Sequence, residues 1–428
     1  MQPKRVLIFP AGTEIAFEIL NALKFSKFVE VYGGTSVDDH SEFVYKNLIK
    51  GFPYADAPDF VDYLNDVIRE YGIDCVYPAH DSASVALSEN ADKIHAQVII
   101  ADAKTTLICR SKKETYEFFE GENFIPKYFE KPEDVSEFPV FVKPTVGQGS
   151  MGAKRIDNMQ ALEQSIREDG SLVICEYLPG MEYTIDCFTD KNGQLLIAKM
   201  RDRERIRSGI SVRSKLIDID DDVLNIAKII NQKLVFRGAW FFQLKKNLNG
   251  EYRLLEISPR IPGTMGLSRN CGINFPILTL FTFWDYDVSV IDNGYDIVLD
   301  RAFYSAYQIK VEYDHVYVDF DDTLVVNGKV NTVLISFLYQ AVENGKKIHL
   351  LSKHLGDLYA DLKQYRIALE LFDEIKVISP EDEKYRYIHE TSAIFIDDSF
   401  AERKKIREHL NLCVFDVDMV EGLRDWRV

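Results

Sequence analysis

Two stretches of this chain carry side chains whose types and spacing could do phosphoryl chemistry. In YVDFDDTLVV, residues 317–326, an apolar strand ends in Asp319, with Asp321 two residues further on. An aspartate can accept a phosphoryl group covalently when a metal ion screens the repulsion between carboxylate and phosphate. The same run also suits a capping turn, because Asp-Asp-Thr favours helix starts. In FVKPTVGQGSMG, residues 141–152, a strand ends at Lys143, Pro144 stops it, and Gly147, Gly149 and Gly152 follow. Glycine amides can approach phosphate oxygens without interference from a Cβ, and a neighbouring lysine can neutralise phosphate charge. Glycine turns beside lysines are also common in plain hairpins, so this stretch alone leaves both readings open.

The elements that must position these groups alternate along the chain. The first hundred residues pass from RVLIFP to EIAFEILNALKF, FVEVYG, FVDYLNDVIREYG and DCVYPA, which argues a parallel sheet flanked by helices. The first turn, PAGTEIAF, has Gly12 but lacks G-x-G-x-x-G, so a dinucleotide is not indicated. From about residue 106 the texture changes to helix, glycine turns and hairpin-like strands, with KNG and LNG as turns, which predicts an α+β region on antiparallel sheets. Near residue 311 the α/β alternation returns in HVYVDF, KKIHLLS, EIKVIS, SAIFID and LCVFDVD, predicting a second, smaller parallel sheet.

With 428 residues, the chain exceeds what one hydrophobic core usually organises, so two or three domains are expected. The formal net charge of -17 opposes binding to a polyanion such as duplex DNA. No apolar run approaches the ~20 residues of a membrane helix, and the start is too short for a signal-peptide apolar region. A cytoplasmic protein with no nucleic-acid or membrane partner is expected. The six cysteines are scattered without C-x-x-C spacing, which favours reduced thiols over disulfides or a structural zinc.

Two further stretches make the middle of the chain specific. VICEYLPGMEYTIDCF places Glu176 and Glu182 on either side of a bend, and GAWFFQLKKNLNGEYRLLEISPR is a hairpin whose second strand ends in Glu256, Ser258 and Arg260. With Lys143 and the glycine loop, this order resembles the ATP-grasp superfamily, which includes biotin carboxylase, carbamoyl phosphate synthetase and D-alanine:D-alanine ligase. The resemblance covers roughly residues 1 to 310. It implies that Lys112 (or Lys113) and Lys143 bind phosphates and that the loop of Gly147, Gly149, Ser150 and Gly152 covers them. It implies that the backbone of Glu176, Tyr177 and Leu178 meets adenine, Glu182 holds the ribose hydroxyls, and Arg260 steadies the transferred phosphoryl group. The magnesium positions match Gln243, Glu256 and Ser258, a departure from the family's two acids and an asparagine. Magnesium prefers oxygen ligands and arrives partly coordinated by phosphates, so one carboxylate with neutral oxygens can suffice. The implied activity is ATP-dependent joining of a small-molecule carboxylate to an amine through an acyl phosphate; phosphorylation of a small acid such as bicarbonate is the alternative.

In MRDRERIRSG, residues 200–209, Arg201, Arg203, Arg205 and Arg207 recur at period two, so an extended segment would point them to one side. Such a row could clamp a carboxylate or phosphate of the acceptor substrate, with Arg205 and Arg207 as the principal candidates. A solvated edge strand guarded by charge is the competing reading.

Downstream of Asp319 and Asp321, Ser352 follows the strand KKIHLL, Lys384 lies in SPEDEKYRYI, and Asp397 and Asp398 end SAIFIDD. With D-x-D-x-T-L these resemble the four motifs of the haloacid dehalogenase (HAD) superfamily, over about residues 313 to 428. The resemblance implies Asp319 as nucleophile, Asp321 as general acid/base, Ser352 and Lys384 as phosphate binders, and Asp319, Asp321, Asp397 and Asp398 as the carboxylates offered to Mg2+ (or Mn2+). It implies an uncapped, HAD-like parallel α/β phosphatase domain, with a non-catalytic sensing module as the alternative. His80 could line the acceptor pocket, and His349 and His354 flank Ser352, but turn or core roles suit them as well.

The expectation is therefore a multidomain α/β and α+β enzyme. A Rossmann-like domain spans residues 1–105, an ATP-grasp domain 106–312 and a HAD-like domain 313–428. Its cofactors would be ATP and Mg2+, its substrates in some cases phosphorylated, and a homodimer is one expected assembly.

Overall fold

A computed structural model describes residues 2–147, 149 and 151–427. The chain divides into two compact units, with the break between Phe303 and Tyr304. The expected border at residue 312 is thus moved back by the packing. A strand at Val298–Asp300 pairs into the first unit's sheet, whereas Val311 and Tyr313 pack on the second unit's core.

In the first unit, β1 (Lys4–Phe9), β2 (Val29–Thr35), β3 (Leu48–Lys50), β4 (Cys75–Pro78) and β5 (Gln97–Val98) form a parallel sheet in the order β3-β2-β1-β4-β5. Both faces of β1 are buried: Val6 and Ile8 join one apolar cluster, Leu7 and Phe9 another. That double burial is why the strand reads as a continuous apolar run. Helix α1 (Glu14–Leu23) is capped by Thr13, whose side chain accepts from the Ala16 amide. Helix α2 (Phe60–Tyr71) ends at Gly72 in the left-handed conformation, and α3 (Asp81–Glu89) starts directly beyond β4.

Two short helices follow, α4 (Ala103–Arg110) and α5 (Lys112–Phe118), the second capped by Ser111. They lead into β6 (Tyr128–Phe129), β7 (Val140–Pro144), β8 (Lys154–Ile156) and β9 (Leu172–Glu176), an antiparallel sheet in the order β6-β9-β7-β8. The larger antiparallel sheet has the order β12-β13-β11-β10-β14-β15, with β16 (Val298–Asp300) beside β13. Its strands are β10 (Glu182–Thr189), β11 (Leu195–Asp202), β12 (Arg205–Arg207), β13 (Ile210–Ile217), β14 (Gly238–Lys246) and β15 (Tyr252–Ser258). The helix Asp221–Lys233 lays Val223, Ile226, Ala227 and Ile230 on this sheet beside Trp240, a 3.6-residue stripe against a period-two face. Trp240 is fully buried, stacks on Phe236, and donates its indole N–H to Thr189 Oγ1 at 2.8 Å. Ile261, Phe275 and Leu280 pack with Val6, Ile8 and Ala16, so the two expected domains within residues 1–303 share one core.

The second unit holds a parallel sheet in the order β21-β20-β17-β22-β23. Its strands are β17 (His315–Val318), β20 (Lys347–Ser352), β21 (Glu374–Val377), β22 (Ala393–Ile396) and β23 (Cys413–Phe415). In sequence order this is 3-2-1-4-5, so the direction of winding reverses at β17. Between β17 and the helix Thr332–Glu343 lies a hairpin of β18 (Val325–Val326) and β19 (Lys329–Val330). Its turn is Asn327-Gly328 with both φ positive, the backbone that two-residue hairpins require. All six cysteines are free and five are buried. Among the described residues no helix is long and apolar enough to cross a membrane.

Candidate functional site

The first candidate site lies where the two antiparallel sheets of the first unit face a common cavity of about 220 Å³. Lys143, near the end of β7, is 8% exposed; its Nζ donates to the Tyr116 hydroxyl at 2.6 Å and to the Leu255 carbonyl at 3.3 Å. Lys112 opens α5, and its amide donates to the Thr145 carbonyl, which ties the helix start to the glycine loop. Burial lowers the Lys112 ammonium from its ordinary range against the pull of Glu256. Lys113 is exposed and pairs with Glu117, so Lys112 is the lysine that faces the cavity. Gly147 and Gly149 line it, as do Glu176, Leu178 and Glu182.

Gly152 and Tyr177 fall outside that lining. Gly152 has φ +72 and packs on Pro144, while Tyr177 lies under the Arg155 guanidinium, 4.9 Å from its ring centre. Ser150 lies outside the described residues. The Glu176 carboxylate is spent on structure, accepting from the Lys127 amide at 2.8 Å. Glu182 is held by Arg203 at 2.8 Å and faces Lys245 at 3.9 Å. The tip of the β12–β13 hairpin closes on the loop. A Cβ on Gly209 (φ +74) would sit 2.2 Å from the Gly149 carbonyl carbon, so only glycine permits the approach.

A second cavity, of about 630 Å³, adjoins the first and shares Arg203, Gln243 and Glu256 with it. Gln243 on β14 stands opposite Glu256 on β15 in the strand register. Their amide and carboxylate oxygens suit a hard cation that brings phosphate oxygens with it. Ser258 does not join them in the first cavity; its hydroxyl turns to Asp81 at 3.5 Å. Arg260 is clamped by the same carboxylate, Nε to Oδ1 at 2.6 Å and an Nη to Oδ2 at 2.9 Å. Burial raises the Asp81 carboxyl, but the Arg260 guanidinium prevails and holds it down at about 2. Asp81, the first residue of α3, was not among the sequence candidates. Its signal was a carboxylate one residue beyond His80, at the strand-to-helix turn where parallel sheets place ligand sites.

The arginine row does not point one way. Arg201 on β11 is buried and paired with Asp186, with its Nε 3.0 Å from Oδ2; Arg203 follows the end of that strand. The chain then leaves the strand at Arg203 and Glu204, and β12 carries Arg205 and Arg207 to the surface. Arg205 pairs with Asp300 at 2.7 Å and Arg207 stacks on Phe303. Arg205 and Arg207, the expected clamp, thus lie outside the lining of the large cavity, whose arginines are Arg201, Arg203, Arg260 and Arg301.

The second candidate site is in the second unit. Asp319 follows β17, Ser352 ends β20 and Asp397 follows β22, so three adjacent strands deliver them to one edge of the sheet, at the winding reversal. That edge is where open α/β sheets bind ligands. Lys384, 2% exposed, bridges Asp319 Oδ1 at 2.8 Å and Asp397 Oδ2 at 2.6 Å. Burial alone would lower the Lys384 ammonium, but the two carboxylates hold it above its usual range. Asp397 is pushed up by burial, against Lys384, with Asp319 adding to the rise.

Carboxylate oxygens of Asp319, Asp397 and Asp398 lie within 4.8 Å of one another, a donor set that fits a hard divalent cation. Asp321 is not part of it. Its carboxylate is drawn off by His354, whose Nδ1 is 3.0 Å away and whose Nε2 meets Asp361 at 3.1 Å. The Ser352 hydroxyl is fully buried without a hydrogen-bond partner among the described residues, a cost that an incoming polar group would relieve.

A family described as "ATP-grasp in the biosynthetic pathway with Ter operon" matches residues 168–297. Among solved structures, biotin carboxylase from Campylobacter jejuni superposes with a TM-score of 0.57 at 17% identity, covering 69% of this chain and 74% of that one. N5-carboxyaminoimidazole synthetase from Staphylococcus aureus, complexed with ADP, gives 0.58 at 14% identity, over 69% and 81%. The chain has the ATP-grasp fold. L-amino acid ligase from Bacillus licheniformis is similar too, with a TM-score of 0.54 at 19% identity over 66% of this chain and 75% of that one. D-alanine–D-alanine ligase of Thermotoga maritima is 27% identical over 125 residues, 27% of this chain, and the chain spans only about 41% of that relative's length. The matched residues 168–297 span β9 to β15 and stop just before β16, and so include Glu182, Gln243, Glu256 and Arg260.

Proposed function

We propose that the first unit is an ATP-dependent carboxylate–amine ligase working through an acyl phosphate. The observation that carries this reading is that two adjoining cavities, one with the buried Lys143 and the half-buried Lys112 and one with arginines, share Glu256 and Gln243 on an ATP-grasp scaffold. Lys112 and Lys143 neutralise nucleotide phosphates under the loop of Gly147 and Gly149, and Leu178 and Glu182 face the nucleoside. Mg2+, held by Glu256 and Gln243, would supply further neutralisation of phosphate charge. The acid enters from the larger cavity, its oxygen attacks the γ-phosphorus, and ADP leaves. The amine then displaces phosphate from the acyl group. Arg260, oriented by Asp81, is placed to steady the phosphoryl group. The names of the D-alanine–D-alanine ligase and L-amino acid ligase relatives support this class.

The second unit is proposed as a HAD-like, Mg2+-dependent phosphatase. Its 3-2-1-4-5 sheet with Asp319, Ser352, Lys384 and Asp397 at one edge supports this reading. Asp319 attacks the phosphorus, while Ser352 and Lys384 hold the phosphoryl oxygens. Asp321 delivers a proton to the leaving oxygen once it swings away from His354.

The test is ADP release by the full chain against paired acids and amines, with amide as the product sought, alongside Lys143→Ala. Phosphate release without amide, or equal ADP release by Lys143→Ala, would reject the ligase. Hydrolysis of p-nitrophenyl phosphate that persists in Asp319→Asn would reject the phosphatase.

A further inference from the structure

The end of the second unit's sheet away from Asp319 carries another convergence of side chains that neither proposed reaction uses. His315 opens β17, and Asp319 lies four residues on, roughly 13 Å along an extended chain. Tyr317 stands opposite His349 of β20, and His349 stands opposite Glu374 of β21; His315, opposite Lys347, lies on the same face as Tyr317 and reaches His349 diagonally. His315 Nδ1 lies 2.9 Å from His349 Nε2. His349 Nδ1 faces Glu374 Oε2 at 3.3 Å. Glu390, in the connection that enters β22, takes the Tyr317 hydroxyl on its carboxylate. The Tyr317 ring stacks on His349 at 4.5 Å with an interplanar angle of 13°, which fixes the imidazole plane. One donor atom each from His315, His349 and Glu390 lies within 4.8 Å of the others.

The hydrogen bonding orders the donors. When His349 gives its Nδ1 proton to Glu374, its Nε2 keeps a lone pair directed at His315. Carboxylates behind metal-binding histidines work in this way. In the neutral pair a single proton sits between Nδ1 of His315 and Nε2 of His349. A cation replacing that proton would be met by both nitrogens and by a Glu390 oxygen. Tetrahedral zinc with bonds of about 2.0–2.1 Å needs nitrogens about 3.3 Å apart, so the pair would open by only a few tenths of an ångström. Two imidazoles and one carboxylate suit borderline ions such as Zn2+, whereas the all-carboxylate set at Asp319 suits Mg2+.

We propose that His315, His349 and Glu390 form a second metal site in this protein, for Zn2+ or a similar borderline divalent ion, with Glu374 orienting His349. The ion would join β17, β20 and the connection before β22, leaving one coordination position open to water or a small ligand. It is separate in place and in donor chemistry from the carboxylates of the phosphatase reading, and it stands whether or not that reading does.

The experiment uses the full chain, stripped with a chelator, in an Asp319→Asn background that weakens the carboxylate site. Zn2+ is titrated calorimetrically, and Co2+ serves as a spectroscopic probe of geometry. The expected result is one equivalent of Zn2+ and a tetrahedral Co2+ spectrum, both lost in the double variant His315→Gln/His349→Gln. Glu374→Gln keeps all three ligands and is expected to weaken binding by about 10–100-fold. Zn2+ bound equally by parent and double variant, with circular dichroism showing both folded, would overturn the proposal. So would a parent that takes up no Zn2+ and gives only an octahedral Co2+ spectrum.

Discussion

Replacing Asp81 by Asn tests the lock on Arg260 through a predictable dependence on pH. The two side chains are 16% and 13% exposed and meet in two parallel hydrogen bonds across 179 residues of sequence. Burial raises the Asp81 carboxyl, yet the Arg260 guanidinium holds it at about 2, below the ordinary 3.8. Because the folded value lies below the unfolded one, the ionised pair stabilises the protein fully above about pH 4 and is lost as pH falls through about 2. A gap of nearly two pH units corresponds to about 2.5 kcal/mol at neutral pH, roughly half of that at pH 3, and under about 0.5 kcal/mol at pH 2. Urea unfolding of the full chain, followed by tryptophan fluorescence, measures it. Trp240 and Trp284 report the first unit. Wild type should exceed Asp81→Asn by about 2.5 kcal/mol at pH 7 and by about 1 kcal/mol at pH 3. A difference below about 1 kcal/mol at pH 7 would mark the pair as an ordinary exposed one, and a difference unchanged at pH 3 would show that the carboxylate's charge is not its source. Either result refutes the reasoning.

Lys384→Met leaves Asp319 and Asp397 facing each other without their cation. A loss of about 3–5 kcal/mol in the second unit's unfolding free energy is expected at neutral pH, because two buried carboxylates are left without their partner; a loss below about 1 kcal/mol in urea unfolding would contradict it. Arg203→Ala removes the closer partner of Glu182, so KM for ATP should rise about tenfold with kcat little changed, and an unaltered KM in steady-state assays would separate Glu182 from nucleotide binding. Gly209→Ala forces a Cβ into the Gly149 backbone at positive φ, so nucleotide affinity measured by calorimetry should fall, whereas unchanged affinity would mean that the hairpin tip does not form the roof of the site.

Local pattern determined much of this protein. The runs RVLIFP, HVYVDF and SAIFID are strands because apolar residues long enough for a doubly covered parallel sheet can hardly sit elsewhere, and in the last two the strand leads directly into the candidate carboxylates Asp319 and Asp397. Lys143 and Asp319 were legible for that reason: the strand, its stop and the polar residue are contiguous. Gly147, Gly149 and Gly152 following Lys143 marked the loop, and the Asn327-Gly328 turn carries its hairpin signature in two letters. What only the tertiary structure decided is which charges are spent on one another. Arg201 to Arg207 read as one row, yet the chain leaves its strand at Arg203 and Glu204, so two arginines end in the cavity wall and two outside it. Asp81 meets Arg260, Lys384 meets Asp319, and His315 meets His349 through strand order and register, which depend on how sheets assemble over long separations. Side-chain spacing can say what a residue could bind, but the burial that makes a partner obligatory is a property of the packed fold.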